Sequence, residues 1–134
     1  MSDHHKALIY TMVLVSASDS NMTDRELTTI GEIVSHLPVF ADYDREQLPK
    51  AAQACAELLS EDDGLEKVIK KIVAGLPAKL KETAYAIALD VAAADGAATQ
   101  EELRLLEMLR HRLAVGRLPA AAIERGARAR YMRL

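Results

Sequence analysis

Apolar residues recur every three or four positions along most of the chain, which is the period of an α-helix with one buried face. This spacing predicts seven helices, at about residues 7–17, 24–36, 45–60, 64–75, 77–94, 100–114 and 119–132. The first of them is apolar nearly all round, so it should lie at the centre of the fold. No stretch shows the period-two alternation of a strand. The pattern therefore predicts an all-α fold, a single compact domain over residues 1–134.

Two of the predicted helices carry an apolar stripe that we expect to be buried. In the second helix the stripe consists of Leu27, Ile30, Ile33, Val34 and Leu37. In the sixth helix it consists of Leu103, Leu106, Leu109 and Leu113. The fourth helix is expected to end at Gly75 in a left-handed conformation, which glycine adopts without steric cost.

One stretch occurs twice. Residues 16–27 read SASDSNMTDREL, and residues 92–103, 76 positions later, read AAADGAATQEEL. An apolar helical pattern precedes each copy and another follows it, so the chain contains two pseudo-symmetric helix–acidic turn–helix units. Three residue types recur in the same register, as the pairs Asp19 and Asp95, Thr23 and Thr99, and Glu26 and Glu102.

Helix capping explains part of the repeat. A Thr followed three positions later by Glu is a capping box, in which each side chain bonds a backbone N–H of the other residue. Capping does not explain Asp19 and Asp95. Both lie near the C-terminal end of the preceding helix, where the helix dipole disfavours an anion. An Asx-turn is one explanation for these aspartates, and a binding site is another.

The acidic residues of the two turns also suit a divalent cation. Hard cations take several oxygen ligands from carboxylates, backbone carbonyls and water. If the two units pack side by side, the turns can pool four carboxylates, with the aspartates as principal ligands and the glutamates completing or orienting the site. The predicted metal ligands are Asp19, Glu26, Asp95 and Glu102. The spacing of seven positions from Asp19 to Glu26 is too short for the loop of an EF-hand.

Charge is distributed unevenly along the chain. Residues 1–109 hold ten Lys and Arg against nineteen Asp and Glu, whereas the segment from Arg110 onward holds seven Arg and one acid, Glu124. The asymmetry indicates either a basic last helix that packs on an acidic body or an anionic partner for that helix. Asp90 interrupts an apolar stretch, so it should have a salt-bridge or hydrogen-bond partner.

Composition limits the other functions. Cys55 lies on an apolar stripe and is expected in the core, and His4 and His5 are expected in an exposed first turn. The chain has no glycine-rich phosphate loop and no recognisable nucleophile motif, which argues against an enzyme. Scarce aromatic residues argue against nucleic-acid binding. Neither a signal peptide nor a membrane-spanning segment is apparent, so we expect a cytoplasmic protein.

Three stretches together resemble the tellurite-resistance TerB-like family. They are Ser18-Asp19 to Glu26-Leu27, KETAYAIALD at 81–90, and Ala93-Ala94-Asp95-Gly96 to Glu102-Leu103. The resemblance implies an all-helical fold of two pseudo-symmetric halves, no established catalysis, and a role in tellurite resistance or a related stress response. It also implies acidic metal ligands at these turns and complexes with other proteins at the inner membrane surface. Ser20 stands in the first copy where the second has Gly96.

Three functional hypotheses remain open from the sequence. The first is a non-enzymatic stress protein that binds a divalent cation (Ca²⁺, Mg²⁺, Mn²⁺ or Zn²⁺) at the paired turns and acts within a protein complex. The second is a metal-free scaffold for protein or membrane-surface interaction, in which the acidic turns are only helix caps. The third, which the sequence supports least, is a hydrolase that uses a metal-bound water.

Overall fold

The computed structural model describes residues 3–18, 24–94 and 98–134. These residues form seven α-helices: α1 Asp3–Ala17, α2 Asp24–His36, α3 Leu48–Leu59, α4 Gly64–Gly75, α5 Lys81–Ala93, α6 Gln100–Arg112 and α7 Arg117–Arg130. Short 3₁₀ helices cover Pro38–Phe40, Arg45–Gln47 and Ala78–Leu80. The described ranges contain no strand. The all-α prediction and its number of helices are confirmed.

Helix α1 lies at the centre of the fold. Every residue from 7 to 16 is buried, because α1 packs against α3, α4 and α5 and also touches α2 and α6. A helix that is surrounded on all sides has no solvent-exposed face, which is why its sequence is apolar nearly all round. The predicted central position of this helix is confirmed.

Helix α5 is the second central element. It packs against α1 and α7 and also contacts α2 and α6. The helices that follow the two repeated turns, α2 and α6, each contact both α1 and α5. The two helix–turn–helix units therefore share one core.

Gly75 does not end α4 in the left-handed conformation that the sequence predicts. Its φ is not positive, and the helix ends because Leu76 takes an extended conformation with φ −105° and ψ 123°. A Cβ on Gly75 would lie 3.0 Å from the Asp3 carbonyl oxygen and 3.1 Å from Ala7 Cβ. The glycine therefore allows α1 and α4 to approach closely.

The left-handed helix end occurs after α6 instead. Ala114 has φ 57°, and the next residue, Val115, donates its N–H to the Arg110 carbonyl oxygen at 3.0 Å. This is the hydrogen bond of a Schellman motif, in which the left-handed position usually holds glycine. The nearby glycine, Gly116, lies two residues further on and has φ −67°, so it does not supply the left-handed conformation.

Candidate metal site at the repeated turns

The structure describes two of the four predicted metal ligands. Glu26 lies in the first turn of α2 and is 3% exposed, and Glu102 lies in the first turn of α6 and is 4% exposed. Asp19 and Asp95 lie outside the described residues. Both described carboxylates are thus buried at equivalent positions of the two repeats, where a glutamate is normally paired.

The neighbouring leucines occupy the opposite environment. Leu27 is 50% exposed and Leu103 is 49% exposed, so the prediction that these two residues belong to the buried stripes is wrong. The buried stripe of α2 begins at Glu26 and continues through Ile30 and Val34. That of α6 contains Glu102, Leu105, Leu106 and Leu109.

A helical period of three to four residues allows the stripe to start at either the glutamate or the leucine that follows it. Hydrophobicity favours the leucine, whereas capping holds the glutamate against the start of its own helix. In α6 the capping contact is observed. A pattern of apolar residues carries no information about capping, so it predicts the wrong starting residue for the buried stripe. The signal for the correct register is present in the sequence as the Thr-x-x-Glu spacing.

The capping box of α6 has both of its hydrogen bonds. The Glu102 N–H donates to Thr99 Oγ1 at 3.1 Å, and the Thr99 N–H donates to Glu102 Oε1 at 2.9 Å. The predicted capping box of the second copy is confirmed. That of the first copy requires Thr23, which lies outside the described residues.

The segments that flank the two turns line one cavity of about 440 Å³. Ala17 and Ser18, at the end of α1, lead into the first turn, and Glu101 follows the second turn in α6. Leu65 and Met108 add apolar surface to the same cavity. The chain therefore enters the first turn and leaves the second turn at the same end of the helix bundle.

Within the described ranges, no group of three or more His, Cys, Asp or Glu side chains is arranged to hold a metal ion. Glu26 and Glu102 alone fall short of the six to eight oxygen ligands, roughly, that Ca²⁺ takes. A cation at this end of the protein therefore requires ligands from the turn residues themselves, with Asp19 and Asp95 as the predicted candidates.

The acid in α5 has a partner on α7. Asp90 accepts a hydrogen bond from Arg130 at 2.6 Å, which also raises the pKa of the guanidinium. Five residues earlier in α5, Tyr85 donates its hydroxyl proton to Glu124 of α7 at 2.6 Å. Burial and this bond to Glu124 raise the pKa of Tyr85. The expectation that Asp90 is paired is confirmed, and part of the basic last helix indeed packs on an acidic residue.

His5 is buried rather than exposed. Its Nε2 donates to the Val39 carbonyl oxygen at 2.8 Å and lies 3.2 Å from Asp42 Oδ1. Its ring also stacks on Phe40 and contacts Tyr43. The expectation of an exposed first turn is wrong here, because helix α1 begins at Asp3 and the segment after α2 covers this side of it.

Cys55 is a core residue, as its position on an apolar stripe predicts. It is fully buried, and its Sγ lies 3.9 Å from the Tyr10 carbonyl oxygen. Burial raises the pKa of this thiol to about 12, so it stays protonated at neutral pH and is a poor nucleophile.

Among the described helices none is long and apolar enough to cross a membrane. No curated protein and no solved structure matches the chain. A sequence model of the family described as tellurite resistance protein TerB matches residues 5–124, which is most of the chain. The chain belongs to the TerB family of tellurite resistance proteins.

Proposed function

We propose that this protein acts in tellurite resistance by binding a divalent cation at its two acidic turns and by working within a protein complex, without catalysing a reaction. The ligands of the proposed site are Asp19, Glu26, Asp95 and Glu102. Family membership supports the association with tellurite resistance. The cation is our inference from the residues at the turns. The complex and a cytoplasmic location beside the inner membrane are proposals that rest on the family resemblance.

The observation that carries the proposal is the burial of Glu26 and Glu102 at equivalent positions, each beside an exposed leucine. In both repeats the glutamate, and not the leucine next to it, takes the inward position. Burying a carboxylate costs free energy that partners must offset. One such partner, the Thr99 N–H, is a cap. A cation shared by the two turns would compensate both negative charges at once.

The position of the flanking segments supports a shared site. Ser18 and Glu101 line the same cavity. Pooling of carboxylates requires that the segments flanking the two turns lie at the same end of the bundle, and this geometry supports the proposal in that respect.

The cap on Glu102 does not prevent it from binding a cation. A carboxylate has two oxygens with about four acceptor positions between them, and the Thr99 N–H takes one position on Oε1. The bond instead fixes the orientation of the carboxylate. Oxygen ligands of this kind favour Ca²⁺, Mg²⁺ or Mn²⁺ over softer metals.

The second candidate function is a metal-free scaffold that binds another protein or the membrane surface. The observed capping box favours it, because the hydrogen bonds between Thr99 and Glu102 give the repeated Thr and Glu a purely structural role. On this hypothesis the glutamates are buried for capping alone, and chelators leave partner binding unchanged.

Thermal unfolding with and without cations separates the two functions. A cation that binds only the folded state raises stability by about 2.7 kcal/mol at a hundredfold excess over its dissociation constant. We expect Ca²⁺, Mg²⁺ or Mn²⁺ to raise the melting temperature of the wild type, and the double variant Glu26→Gln/Glu102→Gln to lose most of this rise. Glutamine can still accept the capping hydrogen bond but carries no charge.

Thr99→Ala is the matched control, since it removes a cap and keeps every carboxylate. It should melt at a lower temperature than the wild type but respond equally to the cation. If no cation raises the melting temperature of the wild type, the cation proposal is wrong and the scaffold function remains.

A further inference from the structure

A second feature lies where α5, α6 and the C-terminal end of α7 meet. There the surface forms a groove of about 630 Å³. Leu89 of α5 and Leu106 of α6 line it, and small side chains such as Ala92 and Ala127 keep it open. It is distinct from the cavity beside Ser18, and neither Glu26 nor Glu102 lines it. The volume is in the range of known ligand pockets, roughly 300–1,000 Å³.

Large apolar side chains are exposed along this groove. Leu103 lines one side, and Tyr131 and Met132 line the other, and all three are exposed. Single exposed apolar residues need no explanation, but several around one concavity are typical of an interaction site. Methionine in particular adapts its shape to different partners.

The groove is also positively charged. Arg128 and Arg133 line it. Within the described ranges neither of them forms an ion pair, whereas Arg130, between them in sequence, is held by Asp90. The segment from Arg110 onward carries a net charge of +6. A partner for this groove should therefore combine apolar side chains with negative charge.

We propose that the groove binds an acidic amphipathic helix of a partner protein. Its apolar side chains, spaced at three and four positions, enter between α6 and α7, and its acidic residues pair with Arg128 and Arg133. A concave apolar site with two arginines fits a helix better than a membrane, because binding to anionic lipid usually uses a cluster of about four to eight basic residues. This inference assigns a partner class to the complex in the proposed function, and it does not require the cation site.

Synthetic peptides test the proposal. The probe is a fluorescein-labelled helix of about 18 residues with Leu at heptad core positions and Glu elsewhere. A second peptide has Lys in place of every Glu. Binding to the full chain is measured by fluorescence anisotropy in EDTA, so that a negative result here is independent of any result on the cation. We expect the Glu peptide to bind and the Lys peptide not to bind.

Paired variants locate the binding site. Leu103→Asp and the double variant Arg128→Glu/Arg133→Glu should each weaken binding at least about tenfold, as loss of an interface anchor commonly does. The control for the leucine is Leu27→Asp, the equivalent residue of the first repeat, which is exposed to the same extent but does not line the groove. It should bind like the wild type.

The control for charge is Arg117→Glu/Arg125→Glu. Both residues are exposed arginines of α7 that do not line the groove, so this variant makes the same change in net charge elsewhere on the helix. Circular dichroism checks that every variant keeps its helical content.

Four outcomes would overturn the proposal. They are failure of the Glu peptide to bind, equal binding of the Lys peptide, equal loss of affinity in a control variant, and unchanged affinity in the groove variants. The membrane alternative is tested by sedimentation with phosphatidylglycerol vesicles. If the vesicles bind through Arg128 and Arg133 while the Glu peptide does not bind, the groove is a lipid-binding surface and the partner helix is excluded.

Discussion

Removal of one hydroxyl group from the second repeated turn should lower the stability of the whole protein. In Thr99→Ala the Glu102 N–H loses its acceptor, which lies 3.1 Å away in the wild type. Loss of such a cap costs about 1 kcal/mol, with a range of about 0.5–2 kcal/mol. Glu102→Gln should cost less than Glu102→Ala, because glutamine keeps an acceptor for the Thr99 N–H and alanine does not.

The size of the chain converts this free energy into a temperature. Unfolding entropy is about 2.1 cal/mol/K per residue near 60 °C, which gives about 0.28 kcal/mol/K for a chain of this length. A loss of about 1 kcal/mol therefore lowers the melting temperature by roughly 4 °C.

The assay is thermal unfolding followed by circular dichroism at neutral pH in EDTA, with urea titration to give the free energy of unfolding directly. EDTA removes any contribution from a bound cation, so the three variants report capping alone. If Thr99→Ala melts within a degree or so of the wild type, the capping box does not stabilise α6. If Glu102→Gln is as unstable as Glu102→Ala, the stabilising contribution of Glu102 comes from its negative charge and not from the capping hydrogen bond.

Three further predictions concern the end of α6 at Ala114, the two glycines Gly64 and Gly31, and the ion pair between Glu66 and Arg112. All are measured by thermal or urea-induced unfolding. Ala114→Gly should stabilise the protein by about 1 kcal/mol, because a residue with a Cβ costs roughly that much at a positive φ of 57°. Gly64→Ala should destabilise it by about 2 kcal/mol or more, since the new Cβ would overlap the backbone oxygen of Leu59 in α3. Gly31→Ala, in an open position of α2, should instead stabilise it by about 1 kcal/mol. The hydrogen bond from Arg112 lowers the pKa of Glu66 below the ordinary value of a glutamate. This pair therefore adds stability above that ordinary pKa and loses it as the pH falls through the lower folded-state pKa.

Each of these predictions has a contrary outcome. A destabilised Ala114→Gly would mean that the α6 end is not left-handed in solution. Equal stability of Gly64→Ala and Gly31→Ala would contradict the close approach at the start of α4. At acidic pH, Glu66→Gln should reduce the decrease in the free energy of unfolding that accompanies falling pH. An unchanged pH dependence would show that the pair with Arg112 does not form.

The helices and their arrangement around α1 are predictable from the sequence because both depend on the period of apolar residues. The all-round apolar character of residues 7–17 has no explanation other than burial on every side. It is also predictable that Asp90 has a polar or charged partner, because an acid in an apolar helix face needs a compensating group. Its identity as Arg130 depends on how α7 crosses α5, which the pattern does not contain.

Features that depend on close approach or on competing local bonds are not predictable in this way. Gly75 looks like a helix stop, but it serves the contact with Asp3 and Ala7 of α1, residues far away in the sequence. Glu26 and Leu27 are adjacent, and periodicity alone gives no reason to bury the acid. The burial of Glu26 beside an exposed leucine was therefore not predictable from periodicity.

Isothermal titration calorimetry with Ca²⁺, Mg²⁺ and Mn²⁺ tests whether the two acidic turns bind a cation together. We expect one of these ions to bind the wild-type chain, and Asp19→Asn/Asp95→Asn to abolish binding. Asp62→Asn/Asp63→Asn removes the same charge from exposed acids just before α4 and should bind like the wild type. Binding that survives in Asp19→Asn/Asp95→Asn, or no binding by the wild type, would contradict a cation site at these turns.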